Sequence, residues 1–106
     1  ADYLEENEGV IVNFSSESGI NPVPGAVAYS VAKGGVETLT RALNEELENT
    51  RVNAVAPSVI DTPKNRETWH DADFSQWTDP EDVADVVEFL VSDDGEAVSG
   101  ETVRLT

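Results

Sequence analysis

Short apolar runs that are rich in β-branched residues mark three predicted strands. The segments VIVNFS (10–15) and RVNAVAPS (51–58) are compact, and VIVNFS is apolar on both faces where it begins. Such a run is typical of a buried parallel strand. The last segment, ETVRLT (101–106), alternates between polar and apolar residues, as a strand does.

Two segments between these runs have the period of amphipathic helices. Over 28–48 the apolar residues recur every three or four positions, which predicts about five helical turns. We expect Leu39, Leu43 and Leu47 to cover the sheet. Val36 or Leu47 is expected to lie toward a partner chain. The segment 79–92 predicts a second helix, with Asp79 as N-cap and Pro80 in the first turn.

The remaining segments predict loops and one helix end. Residues 1–8 are expected to end a polar helix that Gly9 stops, and a loop rich in Ser, Gly, Pro and Asn follows at 17–25. Residues 59–78 show no clean period and predict a long loop with room for a short helical turn. Loops of this length are usually functional or mobile.

The order strand, helix, strand, helix, strand predicts the α/β class, with right-handed crossovers and a parallel sheet covered on both faces. Three strands make a small sheet with exposed edges, so the chain resembles half of a doubly wound domain. Ligands of such sheets bind at the carboxyl ends of the strands. Those ends are 14–16 and 57–60.

Acidic residues dominate the charge. The chain has 22 Asp and Glu against 6 Lys and Arg, a net charge of −16. Because the acids are interleaved with a strong apolar pattern, we predict a folded domain with an acidic surface rather than disorder. Such a lysine-poor surface is typical of haloarchaeal proteins; an acidic mesophilic protein is the alternative. Nucleic acids and anionic membranes would be repelled.

Composition excludes several classes of site. The chain has no cysteine, hence no disulfide and no thiolate metal site, and its single histidine, His70, does not make a metal site by itself. No apolar run approaches the roughly 20 residues of a membrane span, and no signal peptide is visible. We therefore expect a cytoplasmic protein without a metal.

Tyr29 and Lys33 are four residues apart at the start of the long helix, so their side chains emerge on one face. An ammonium group near a phenol stabilises the phenolate, which makes the pair a candidate acid/base. Two unrelated surface residues are the alternative. Ser15 and Ser16 end the preceding strand, where a hydroxyl can polarise a carbonyl oxygen; a simple turn is the alternative there.

Three segments, GVIVNFSSESG, PGAVAYSVAKGGVETLTRAL and RVNAVAPSVIDTP, together resemble the short-chain dehydrogenase/reductase family. The resemblance covers essentially the whole chain, in order and with the family's spacing. Thirteen positions lead from Ser16 to Tyr29, which is the family's interval. The resemblance therefore assigns the catalytic role to Ser16 rather than Ser15.

The resemblance implies a role for each matching residue. Tyr29 would be the general acid or base and would also bind the cofactor. Lys33 would assist Tyr29 and bind the nicotinamide ribose, and Ser16 would polarise the substrate carbonyl. Residues at the next strand end would wrap the nicotinamide of NAD or NADP: Pro57, Ile60 and Thr62. The family usually has Pro-Gly where this chain has Pro57-Ser58, so the backbone there can differ slightly.

The segment 59–78 corresponds to the family's substrate lid. Its DTPKNR and DADFSQW stretches resemble quinonoid dihydropteridine reductases and their relatives. Trp69, His70, Phe74 and Trp77 could contact a flat substrate. The alternatives, which we favour, are that Phe74 and Trp77 pin the lid and that His70 is a solvated loop residue. Arg66 is expected to be structural, through a salt bridge or a helix end.

Several family features are absent from the 106 residues: the glycine-rich phosphate-binding turn, the Asn-Asn-Ala-Gly strand, the residue that selects NAD or NADP, and the catalytic asparagine. Asn7 and Asn13 are at the wrong distance to replace that asparagine. The resemblance thus implies the carboxyl-terminal half (β-α-β-α-β) of a Rossmann-like doubly wound parallel sheet over residues 1–106, with 1–9 ending the preceding helix. In isolation this half should bind a dinucleotide poorly.

The family also implies a homodimer or homotetramer that acts on a small carbonyl or alcohol substrate. Two other functions stay open. One is a truncated, non-catalytic fragment or interaction module. The other is a sugar-nucleotide epimerase with the same Tyr/Lys pair, which the compact carboxyl-terminal tail disfavours.

Overall fold

The structure is a computed structural model that describes residues 8–16 and 27–105. Most of the helix end predicted over 1–8, and the whole loop predicted over 17–25, lie outside the described residues.

Three strands of the described chain form one parallel sheet. The strands are β1 (Val10–Phe14), β2 (Arg51–Pro57) and β3 (Thr102–Leu105), in the order β1-β2-β3. Val12 lies opposite Asn53 in the first pair, and Val55 lies opposite Val103 in the second. β2 is buried from its second residue onward because it has a neighbour on each side, whereas β1 is only half-buried. The predicted α/β class with a parallel sheet is confirmed.

Over residues 8–16 and 27–105, three α-helices connect or follow the strands: α1 (Val27–Glu46), α2 (Pro63–Thr68) and α3 (Pro80–Val91). Two short 3-10 turns cover Phe74–Gln76 and Asp93–Gly95. α3 begins as predicted, since the Asp79 carboxylate accepts a hydrogen bond from the Glu81 amide at 2.9 Å. The segment after β2, for which the sequence predicts a long loop with room for a short helical turn, contains the six-residue α2 and one 3-10 turn.

The face that α1 turns toward the sheet differs from the prediction. Leu39 is 50% exposed, so the expectation that it covers the sheet is wrong, and Thr40 is fully buried in its place. The Thr40 hydroxyl donates to the Val36 carbonyl at 2.8 Å and accepts from the Asn13 amide at 3.1 Å. Because β1 presents the polar side chain of Asn13 to the helix, the helix places a polar residue opposite it.

Arg51, the first residue of β2, joins that strand to the end of α3. Its Nη1 donates to the carbonyls of Leu90, Gly95 and Val98 at 3.0, 2.8 and 3.3 Å. Carbonyls at a helix end have no partner within the helix, so a guanidinium satisfies them well. Gly95 permits this arrangement, because a Cβ at that position would overlap the carbonyl oxygen of Phe89.

We predict that Arg51→Met lowers the free energy of unfolding by about 2–3 kcal/mol, because three part-buried carbonyls lose a charged donor. Urea denaturation of the protein as its gene encodes it measures the change. Arg41→Met is the matched control, since the Arg41 side chain is 58% exposed and pairs with Glu37 one helical turn away. Arg41→Met should lower the free energy of unfolding by less than about 0.5 kcal/mol. Equal losses in the two variants would contradict the role of Arg51.

Candidate active site

The Tyr29 and Lys33 side chains lie together at the start of α1. The Lys33 Nζ is 5.9 Å from the centroid of the Tyr29 ring, within the range of a cation–π contact. The same ammonium donates to the Phe14 carbonyl, at the end of β1, at 3.4 Å. Tyr29 is 53% exposed, so a small molecule can reach its phenol. The predicted pair thus lies at the carboxyl end of β1.

The two serines after β1 have different environments. Ser15 is buried, its hydroxyl donates to the Lys33 carbonyl at 2.8 Å, and its amide donates to the Val55 carbonyl at 2.8 Å. Ser15 is therefore part of the framework that joins β1, β2 and α1. Ser16 follows it directly and is half-buried. This difference agrees with the choice of Ser16 as the serine of the site.

The predicted cofactor residues lie at the end of β2 and just after it, at the same edge of the sheet. Pro57 is buried at the end of β2, and Ile60 forms an isolated parallel bridge with Thr78. Thr62 is the N-cap of α2, and its hydroxyl accepts from the Asn65 amide at 3.1 Å. Because β1 and β2 are parallel neighbours, their carboxyl ends meet at one edge, which brings both groups of predicted residues to the same end of the sheet.

The aromatic residues of the lid contact one another. The rings of Phe74 and Trp77 are 4.6 Å apart, and Trp69 meets Trp77 edge to face at 6.3 Å. The Arg66 guanidinium lies 4.4 Å from the centroid of Phe74. Phe74 and Trp77 are half-buried within the lid, whereas Trp69 is 51% exposed. The cluster joins the end of α2 to the 3-10 turn at Phe74–Gln76.

A salt bridge lies within the lid, in the segment that follows β2. The Arg66 Nε and Nη2 donate to the two carboxylate oxygens of Asp61 at 2.6 and 2.8 Å. The hydrogen bond from Arg66 lowers the pKa of Asp61, and the same bond raises the pKa of Arg66. The structural role predicted for Arg66 is confirmed. His70 is exposed beside Asp71, which confirms the prediction of a solvated loop residue.

A depression of about 650 Å³ lies at the amino ends of β1 and β2, away from Tyr29 and Lys33. Acidic side chains line much of it: Glu8, Glu45, Glu48, Asp93 and Glu96. Within residues 8–16 and 27–105, no group of three or more His, Asp or Glu side chains could hold a metal ion. No helix in that part of the chain is long and apolar enough to cross a membrane.

Comparison with known proteins identifies the family. A family described as enoyl-(acyl carrier protein) reductase matches residues 1–105. A 3-oxoacyl-[acyl-carrier-protein] reductase of Thermotoga maritima is 39% identical over 112 residues, which cover 96% of this chain and 46% of that protein. The chain belongs to the short-chain dehydrogenase/reductase family. It spans less than half the length of the relatives that it matches.

Solved structures of family members share the fold. A short-chain dehydrogenase/reductase of Brucella melitensis has a TM-score of 0.77 at 33% identity, over 92% of this chain and 44% of its own. A 4-hydroxyisoleucine dehydrogenase, solved with NADH, has a TM-score of 0.80 at 28% identity, over 98% of this chain and 48% of its own. The three-stranded sheet of this chain thus matches part of a Rossmann-like domain.

Two features of the site were not predicted from the sequence. The contact between Lys33 and the Phe14 carbonyl depends on how α1 packs, so no local pattern signals it. The helix α2 does have a signal, since Thr62-Pro63 repeats the N-cap and proline pattern of Asp79-Pro80. Recognising that pattern would have predicted α2 and, with it, Asn65 beside the cofactor residues.

We predict that Arg66→Gln raises the pKa of Asp61 toward its ordinary value of 3.8. A carboxyl whose pKa is lowered by folding stabilises the fold above its unfolded pKa, and this contribution is lost as the pH falls through the folded pKa. Carboxyl carbon NMR titration measures the change. Asp73, whose pKa the Ser75 hydrogen bonds lower, is the internal control and should titrate as before. An unmoved Asp61 would show that Arg66 is not the cause.

Proposed function

We propose that this chain is the catalytic part of an NAD(P)-dependent oxidoreductase that moves hydride between a nicotinamide and a carbonyl or alcohol carbon. Its relatives are oxidoreductases, and structures of family members contain nicotinamide cofactors. The observation that carries the proposal is the position of the Lys33 ammonium, which contacts both the Tyr29 ring and the Phe14 carbonyl. This position brings the Tyr29 phenol and a positive charge together at the carboxyl end of β1.

Tyr29 handles the proton in this proposal. In reduction the carbonyl carbon receives hydride from the reduced nicotinamide while the Tyr29 phenol gives its proton to the carbonyl oxygen; in oxidation both transfers reverse. The Lys33 ammonium stabilises the phenolate that reduction leaves behind. Ser16, beside the buried Ser15, donates a hydrogen bond to the carbonyl oxygen and stabilises the charge that develops there.

The residues after β2 fit the nicotinamide half of a dinucleotide. The Thr62 hydroxyl already accepts a hydrogen bond from Asn65, so its own hydrogen is directed elsewhere and suits a carboxamide oxygen. The half-buried Ile60 supplies apolar surface near it, the buried Pro57 supports the backbone at the end of β2, and Lys33 supplies a donor for the ribose hydroxyls. When bound, the nicotinamide supplies or accepts the hydride.

The pyrophosphate needs a different structure, usually the backbone amides of a glycine-rich turn before a helix. The 106 residues contain no such turn after a predicted strand. Because the chain spans less than half the length of its relatives, we propose that residues 1–106 are the carboxyl-terminal half of one domain. We expect this half alone not to bind the dinucleotide. The cytoplasmic location, the haloarchaeal origin and the dihydropteridine-type lid stay predictions.

We predict that Tyr29→Phe lowers turnover by about 10²–10⁴-fold, the usual contribution of a positioned proton donor. Steady-state assays of the protein as its gene encodes it, on ketone and quinonoid substrates with NADH and with NADPH, measure it. Affinity for the dinucleotide should stay within a few-fold, because the ring is retained. Full turnover in Tyr29→Phe would refute the assignment. A protein that turns over none of these substrates would favour a non-catalytic module.

The exposed side of α1 supports an assembly of identical chains. Val27, Val31 and Leu39 are 71%, 69% and 50% exposed. They lie at four-residue intervals with Gly35, where a Cβ would meet no atom within 4 Å, so they form one open apolar stripe. We propose that this stripe packs against a second copy in a homodimer or homotetramer.

We predict that Leu39→Glu shifts the protein toward the monomer, because a carboxylate would be buried in the contact. Sedimentation velocity across a range of concentrations measures the mass. Thr38→Glu adds the same charge at the neighbouring exposed position, off the stripe, and should leave the assembly unchanged. Equal behaviour of the two variants would place the contact elsewhere.

A further inference from the structure

We propose that Asn65 is a positioning residue that holds the segment 60–62 in the conformation that binds the nicotinamide. The inference rests on the proposed function and adds to it a residue that the sequence resemblance does not include. The Asn65 Nδ2 donates to the Ile60 carbonyl at 2.8 Å. Its backbone amide donates to the Thr62 hydroxyl at 3.1 Å. One residue thus contacts both of the cofactor residues that follow β2.

The contacts of Asn65 have separable effects. As the third residue of α2, it caps the helix through its backbone amide, which any residue except proline provides. The side-chain amide does not serve the helix, since it reaches back five residues to a carbonyl that precedes the N-cap. A side chain of the same size without a donor would therefore keep the cap and lose the tie to Ile60.

Neighbouring contacts hold Asp61, the residue between the two, from both sides. The Arg66 guanidinium binds the Asp61 carboxylate at 2.6 and 2.8 Å. The Asp61 backbone amide donates to the Thr78 carbonyl at 2.7 Å. The Arg66 amide also donates to the Thr62 carbonyl at 3.0 Å. With these contacts in place, the tie from Asn65 to Ile60 fixes the end of the segment nearest β2.

Fixing this segment before the ligand arrives affects affinity. A loop that is ordered in the free protein loses less conformational freedom on binding, and the saved entropy appears as tighter binding. This entropic gain applies only to the part of the ligand that contacts residues 60–62. We therefore expect Asn65 to influence the nicotinamide end of the dinucleotide and not the adenine end.

Binding measurements on the protein as its gene encodes it test this directly. In Asn65→Leu we expect the dissociation constant of NADH or NADPH, whichever the unsubstituted protein prefers, to rise about fivefold to tenfold, the effect of one lost hydrogen bond. The affinity for the matching ADP-ribose or 2′-phospho-ADP-ribose, which lacks the nicotinamide, should stay within twofold. Glu67→Leu introduces the same side chain at an exposed position of α2 and should change neither.

A second substitution guards against a folding defect. Asn65→Asp keeps the shape and turns the donor into an acceptor that faces the Ile60 carbonyl, so it should show the same selective loss. Unchanged affinity for the preferred dinucleotide in both variants would overturn the inference. An equal loss of affinity for the dinucleotide and for its ADP-ribose analogue would also overturn it. If the unsubstituted protein binds neither ligand, the proposed function fails and the inference falls with it.

Discussion

A pair of hydrogen bonds in opposite directions joins the end of β1 to α1, and the candidate site depends on it. The Ser15 hydroxyl donates to the carbonyl of Lys33, and the ammonium of Lys33 donates to the carbonyl of Phe14. Ser15 is buried, so losing the first bond would leave its hydroxyl unpaired at a cost of about 1–3 kcal/mol. The pair fixes the position of α1 relative to the end of β1, where the Lys33 ammonium also lies 5.9 Å from the Tyr29 ring.

The rest of the fold keeps this junction in place. The Ser15 amide extends the β1–β2 ladder to the Val55 carbonyl, so the junction is anchored on the most buried strand. Arg51 holds the opposite end of β2 against the end of α3. The contacts of Arg51 thus lie at the opposite end of β2 from the candidate chemistry, and the Asp61–Arg66 salt bridge lies within the lid that follows the chemical end.

The sequence was sufficient for features that depend on local patterns and not for those that depend on packing. Strand runs, the Asp79-Pro80 helix start and the spacing of Tyr29 and Lys33 are local, and the structure contains each of them. The inward face of α1 is not local. Periodicity assigns every apolar residue to the core, but Leu39 is exposed because Thr40 pairs with Asn13 on β1. The roles of Ser16, Tyr29 and Lys33 stay predictions that the geometry supports.

The most direct measurement of the central claim compares the chain's two lysines, Lys33 and Lys64, in the protein as its gene encodes it. Met replaces each in turn, which keeps a long side chain and removes the ammonium. The account predicts that Lys33→Met lowers turnover by at least about 10²-fold, because the phenolate loses its stabilising charge. Lys64→Met, on the exposed side of α2, should stay within about twofold of the unsubstituted protein, as surface changes away from a site usually do. Retained turnover in Lys33→Met, or equal losses in the two variants, would contradict the account.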